Sequence, residues 1–137
     1  MVDASVAAKW FVRENLQADA MRLLDRGTQL LAPDWIIQEV AHVAFKKWRD
    51  EEIGPGQARA MVRALPTFIT ELYPSVDLTN RALTIAMAVR HPVYDCLYVA
   101  CAEVADVTLV TADRQLCDVM EGTRFAPLVR HLSEVTP

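Results

Sequence analysis

Four acidic side chains, Asp3, Glu39, Asp95 and Asp113, stand where a divalent cation would gather them. Asp3 follows the first residues of an apolar strand, and Glu39 lies inside a long amphipathic helix. Asp95 opens a second helix, and Asp113 closes the apolar, β-branched run over residues 107–111. Carboxylates brought together repel one another unless something positive is bound between them. Oxygen ligands in that number suit Mg2+ or Mn2+, and a cation held by them polarises a phosphate oxygen and activates a water for in-line attack. The pattern predicts chemistry on phosphate with no histidine required. His42, His91 and His131 read as surface or capping residues, and Asp118 reads as a solvated helix residue. Each acid also has an ordinary reading: Asp is a favoured helix N-cap, and a lone Glu on a helix flank is usually solvated.

Acids from both ends of the chain meet only if the fold brings distant segments side by side. Helical spacing is expected over residues 4–14, 17–25, 34–51, 57–69, 79–89, 91–105 and 114–120. Asp34 and Thr79 are expected to cap their own helices, and Pro66 to kink or end the fourth. Strands are expected at Val2-Asp3, 29–32 (ended by Pro33), 72–78, 107–111 and 125–129, with Pro74 placing the third at a sheet edge. Strands alternating with helices predict an α/β fold, a parallel sheet with helices on both faces. In such sheets ligands bind at the carboxyl ends of the strands, where Asp3 and Asp113 stand.

Composition sets the bounds. A chain of 137 residues, 53% hydrophobic and 23% charged, suits one folded domain over residues 1–137. No apolar run is long enough to span a bilayer, and Asp3 and Lys9 interrupt any signal-peptide core, so a cytoplasmic location is expected. Cys96, Cys101 and Cys117 match no zinc spacing and read as reduced, mostly buried thiols. The net charge of −4 gives no global attraction for nucleic acid, so local cations would have to supply it.

Four segments then fall into a pattern: residues 2–10, Ala32-Pro33-Asp34 with Glu39-Val40-Ala41, residues 94–100, and Leu109-Val110-Thr111-Ala112-Asp113. In that order and spacing they resemble PIN-domain proteins, in particular the VapC-like toxins of type II toxin–antitoxin pairs. The resemblance implies a three-layer α/β/α PIN-like domain with a mostly parallel central sheet. It implies an endoribonuclease dependent on Mg2+ (or Mn2+), with Asp3, Glu39, Asp95 and Asp113 as catalytic and metal-binding acids. Ser5 and Thr111 match the family's small hydroxyl positions, which support those acids. The implied partners are an RNA substrate, a cognate antitoxin and a second copy in a homodimer. The stub before Asp3 is shorter than the family's first strand. Lys9, Arg13, Lys46, Arg90 and Arg114 lie near acidic positions or helix ends and are candidate phosphate contacts. Trp10, Phe11, Trp35 and Trp48 are candidates for core, antitoxin groove or dimer face. Two other functions fit acids at strand ends. One is a non-catalytic binding module. The other is a phosphoacceptor domain, disfavoured because Asp3 has no adjacent acid and no lysine follows Lys47.

Overall fold

The structure, a computed structural model, describes residues 1–135. Its strands are short. β1 (Leu31–Pro33) pairs in parallel with β2 (Glu71–Tyr73), and β3 (Leu109–Thr111) pairs in parallel with β4 (Val129–His131). Met1 and Val2 stitch the two pairs together. The Val2 N–H donates to Leu31 O at 3.0 Å, and the Val110 N–H donates to Met1 O at 2.8 Å. Val2 also forms a parallel bridge with Val110. The resulting row runs β2, β1, Val2, β3, β4, so the stub before Asp3 is the seam of the sheet. β2 lies at the rim, as expected, but the strand expected over 72–78 ends at Tyr73: Pro74 stands outside it and residues 75–78 are helical.

Helices cover this sheet in a three-layer α/β/α arrangement. They are α1 (Ala4–Ala7) with a 3-10 turn after it, α2 (Gln17–Asp25), α3 (Ile36–Arg49), α4 (Pro55–Phe68), α5 (Ser75–Val89), α6 (Val93–Ala105) and α7 (Arg114–Met120). In α6 every residue over 96–102 is buried. A helix apolar all round must be enclosed, and α6 is, between α5 and strands β1 and β3. Ile36, Val40 and Ala44 form the buried stripe of α3, which packs against α1 and α4. Arg81 on α5 holds Glu103 on α6 through two hydrogen bonds of 2.7 Å.

Several local expectations are corrected. α4 continues through Pro66 to Phe68: the proline gives up its i→i−4 hydrogen bond, and the fully buried Leu65 beside it ties that turn to the core. β1 ends at Pro33, as expected, with the proline as its last residue, but it starts at Leu31, later than expected. Helix α5 begins at Ser75, so Thr79 is internal and its hydroxyl donates to Ser75 O. Asp34 does not cap α3. Its Oδ1 accepts the Ser75 N–H at 3.0 Å, while Ser75 Oγ accepts the Trp35 N–H at 3.0 Å, so the two helix starts cap each other. Residues 126–128 form a 3-10 turn, and the last strand starts later, at Val129. The helix expected over 4–14 ends early, after the 3-10 turn at Trp10.

Candidate active site

Each acid arrives on a different element. Val2 delivers Asp3 at the carboxyl end of the seam, where its Oδ1 caps α1 by accepting the Val6 N–H at 3.2 Å. The cap reading of Asp3 therefore holds. Ser5 Oγ donates to the same oxygen at 2.6 Å, and Thr111 Oγ1 donates to Oδ2. The Ser5 and Thr111 hydroxyls are in turn fixed by the N–H groups of Ala112 (2.9 Å) and Asp113 (3.0 Å). The two expected hydroxyl residues thus clamp Asp3 between the start of α1 and the end of β3.

Glu39, in the first turn of α3, is half-buried and accepts the Trp35 indole N–H at 2.9 Å. Asp95, in the first turn of α6, bonds through Oδ2 to His91 Nε2 at 2.6 Å. Burial pushes Asp3 up to about 6 against the pull of its Ser5, Thr111 and Val6 donors, and the charge of Asp95 adds to the rise. Burial likewise pushes Glu39 up to about 7, with Asp3 and Asp95 adding to it. Asp3 and Glu39 are therefore close enough to Asp95, and Glu39 to Asp3, to feel the neighbouring charge. Tyr98, at 1% exposure, lies against the same group. Burial first, then the Glu39 and Asp3 charges, hold its hydroxyl well above the usual phenol range. That hydroxyl approaches Glu39 but completes no hydrogen bond of good geometry.

Asp113 is placed differently. Its Oδ1 accepts the N–H groups of Gln115 (2.9 Å) and Leu116 (3.4 Å), capping α7, and its link to Asp3 runs through its own N–H and Thr111. Among the described residues, no three His, Cys, Asp or Glu side chains stand close enough to form a preformed metal cage. Asp95 stands near enough for its charge to raise Asp3 and Glu39, yet the three do not close to ligand distance. Such a donor set fits a hard divalent cation of the magnesium kind. That ion takes one or two carboxylates and keeps its waters, and an orphaned phenol beside the acids offers those waters a partner.

Of the expected phosphate contacts, Lys9 and Lys46 line a polar cavity of about 390 Å³ that opens beside Ser5 and Ala112. Lys9 is paired there to Glu14 at 3.1 Å. Arg114 turns away toward Glu134 (3.1 Å) and His131 (2.9 Å). Arg13 and Arg90 are exposed, and Arg90 closes α5 in the left-handed conformation. Asp118 and His42 are exposed as expected, and His131 caps the turn at Ser133 from a buried position. His91 departs from the surface reading: its side chain is 7% exposed and is spent on Asp95. Sequence reasoning missed the roles of Trp35, His91 and Tyr98. Trp35 precedes Glu39 by four residues, the spacing that puts two side chains on one helical face, whereas His91 stands ahead of α6 and reaches back to Asp95 in its first turn.

Trp10 is core, Phe11 and Trp35 pack against the core, and Trp48 is half exposed. Trp48 and Phe45 line an apolar groove of about 620 Å³ between α3 and α4, bordered by Arg59 and Arg63. The carboxylates take no part in that groove. Cys96 and Cys101 are buried free thiols, and Cys117 is a partly exposed one. Among the described residues, no helix is long and apolar enough to cross a membrane.

Buried carboxylates delivered by a parallel sheet and its flanking helices define a class of α/β domain, and the comparisons say which. Residues 1–121 match the PIN domain, and the chain belongs to that family. It is 34% identical over 118 residues to Ribonuclease VapC1 of Mycobacterium tuberculosis, covering 85% of this chain and 86% of that protein. It is 31% identical over 120 residues to Ribonuclease VapC3 of Pyrobaculum aerophilum, covering 86% of this chain and 92% of that protein. The crystal structure of PAE2754 from Pyrobaculum aerophilum superposes with a TM-score of 0.66 at 19% identity, over 96% of this chain and 82% of that one, a likeness of fold.

Proposed function

We propose that this chain is a Mg2+- or Mn2+-dependent endoribonuclease, the toxin of a toxin–antitoxin pair, acting as one PIN-like domain over residues 1–137 in the cytoplasm. One observation carries the reading: Asp3, Glu39 and Asp95, from three separate elements, are close enough that their charges oppose one another. Such an arrangement is costly in a protein that binds nothing there. Similarity to two proteins named ribonuclease supports the choice of RNA as substrate.

The residues that would hold the cation are Asp3, Glu39 and Asp95, with Asp113 at the rim. When bound, the cation supplies charge for the phosphate oxygens and lowers the pKa of water. The protein's own part is positional. Ser5 and Thr111 fix both oxygens of Asp3, Trp35 aims Glu39, and His91 aims Asp95. Holding an attacking water in line with the leaving oxygen requires such fixed acceptors. Lys9 and Lys46 beside Ser5 are the best placed of the phosphate contacts, with Arg13, Arg90 and Arg114 further candidates. The α3–α4 groove, apolar with two arginines on its border, suits an antitoxin segment. The exposed stripe of Val76, Leu83 and Met87 on α5 suits a homodimer face.

The test is Asp95→Asn. Cleavage of RNA in Mg2+ should fall by about a hundredfold or more, with the thermal melt retained. Full activity in that variant ends the nuclease reading, and absence of Mg2+ or Mn2+ uptake by calorimetry favours a non-catalytic module. Mapping RNA 5′ ends after induced expression, with the variant as control, identifies the substrate. Relief of toxicity by a neighbouring small gene identifies the antitoxin.

A further inference from the structure

The ring of Trp35 lies flat against that of Tyr94, with centroids 4.9 Å apart and planes 14° from parallel. Trp35 is locked from two sides, by its indole N–H on Glu39 and its backbone N–H on Ser75 Oγ. Tyr94 is the residue before Asp95, yet it is 58% exposed, so one face of its ring is covered and the other is open. A large, rigid aromatic surface therefore stands open beside two of the three carboxylates. No apolar core needs it there.

The electrostatics sharpen the point. The chain carries a net charge of −4, and the site concentrates negative charge further. Phosphate contacts alone meet an adverse field, and Lys9 is already engaged by Glu14. Stacking of a base on an aromatic ring is indifferent to that field and tolerant of sequence. We infer that the open face of Tyr94, backed by Trp35, is a stacking platform for one unpaired base of the RNA, next to the bond presented to the carboxylates. This rests on the ribonuclease reading and deepens it, because only a base unstacked from its neighbours can lie on the ring.

The experiment measures binding of a short fluorescein-labelled single-stranded RNA to the Asp95→Asn protein in Mg2+, over a range of salt. Tyr94→Ala is expected to weaken binding by about tenfold, within the range measured for one base–aromatic stack. Tyr94→Phe should bind within about twofold of its parent, since the ring alone is used. Tyr94→Leu keeps apolar cover on Trp35 and so guards against a folding artefact, and it should lose affinity as Ala does. The slope of log affinity against log salt should be the same in all four proteins, because no phosphate contact is removed. A 2-aminopurine base placed at the contact should be quenched on binding the parent and not on binding Tyr94→Ala. Equal affinity of Ala and parent overturns the inference, as does a Phe variant as weak as Ala, or a parent that holds no single-stranded RNA. Loss of antitoxin binding in Tyr94→Ala with RNA binding intact also overturns it, assigning the ring to the protein partner. The two readings fail separately. Wild-type protein that binds RNA through Tyr94 but never cleaves it removes the nuclease alone. Cleavage with an unaltered KM in the otherwise wild-type Tyr94→Ala protein removes the platform alone.

Discussion

Replacing Asp3 by Asn should change stability with a sign that depends on pH. In the metal-free protein, burial holds Asp3 at about 6 against an ordinary value of 3.8. The folded state then grips the proton more tightly than the unfolded chain does. The associated stability is fully present below pH about 4 and is lost as pH rises through about 6. The rise from 3.8 to about 6 corresponds to roughly 3 kcal/mol lost by pH 8. Asn removes the titration. Its carbonyl still meets the Ser5 hydroxyl and the Val6 N–H, but its amide faces Thr111 Oγ1, which must turn from donor to acceptor. That exchange costs about 1 kcal/mol. Asp3→Asn should therefore be about 2 kcal/mol more stable than wild type at pH 8 in EDTA. Near pH 4.5 the two proteins should be equal, or the variant slightly weaker. Glu39, raised to about 7, contributes with the same sign in wild type, reduced by its partial access to water. Urea unfolding across this range reads the difference. Excess Mg2+ at about a hundred times its Kd should restore about 2.7 kcal/mol to wild type and much less to the variant. A variant less stable at every pH, or offset by a constant amount, would refute the reasoning that buried charge at Asp3 is the source of strain.

Thr111→Val keeps the shape but strips the hydroxyl from Asp3 Oδ2 and from the Asp113 N–H. It should cost about 1.5–3 kcal/mol by urea unfolding and push Asp3 still higher, shifting Mg2+ uptake to higher pH. Burial raises Cys96 to about 11 and Cys101 to about 12, so iodoacetamide at pH 8 should label the partly exposed Cys117 first; equal labelling of Cys96 by mass spectrometry would contradict this. Arg90 ends α5 at φ 55°, so Arg90→Gly should raise the stability by about 0.5–1 kcal/mol in thermal melts.

What was legible in the sequence was local. α2 and α7 fall where spacing placed them, because their apolar positions and end signals lie within a few residues. What was missed was set across the chain. Asp34 reads as the cap of its own helix, yet its carboxylate serves Ser75, 41 positions away. No local pattern reports that exchange, which also hides the true start of α5. The ends of α5 and α6, at Val89 and Ala105, fall where expected, although Arg90 and Asp106 in the left-handed region stand where a glycine usually marks a helix stop. Of the candidate site, the grouping of Asp3, Ser5 and Thr111 was legible: Asp3 and Thr111 sit at strand ends, Ser5 lies in α1, and the three form one hydrogen-bonded unit. Asp113 reads like Asp3, and one of its oxygens likewise caps the helix that follows.

The seam shows how Asp3 is held. Met1 and Val2 contribute one bond to β1 and two to the neighbouring segment, at Thr108 and Val110, and the side chain of Asp3 adds three more by accepting from Ser5, Val6 and Thr111. Two of those donors, Ser5 and Thr111, are tied to the backbone of residues 112 and 113. Asp3 is therefore at once a joint between α1 and β3 and a charge whose burial raises its pKa. Its donors favour the ionised form and its burial the neutral one, and burial prevails until a counter-charge arrives. An acid built this way links the closure of the sheet to occupancy of the cleft. Removing it perturbs fold and chemistry together, whereas Asp95, in the first turn of α6 and engaged among the described residues by His91 alone, separates them. That is why Asp95 is the sounder residue for testing activity and Asp3 the sounder one for testing electrostatics.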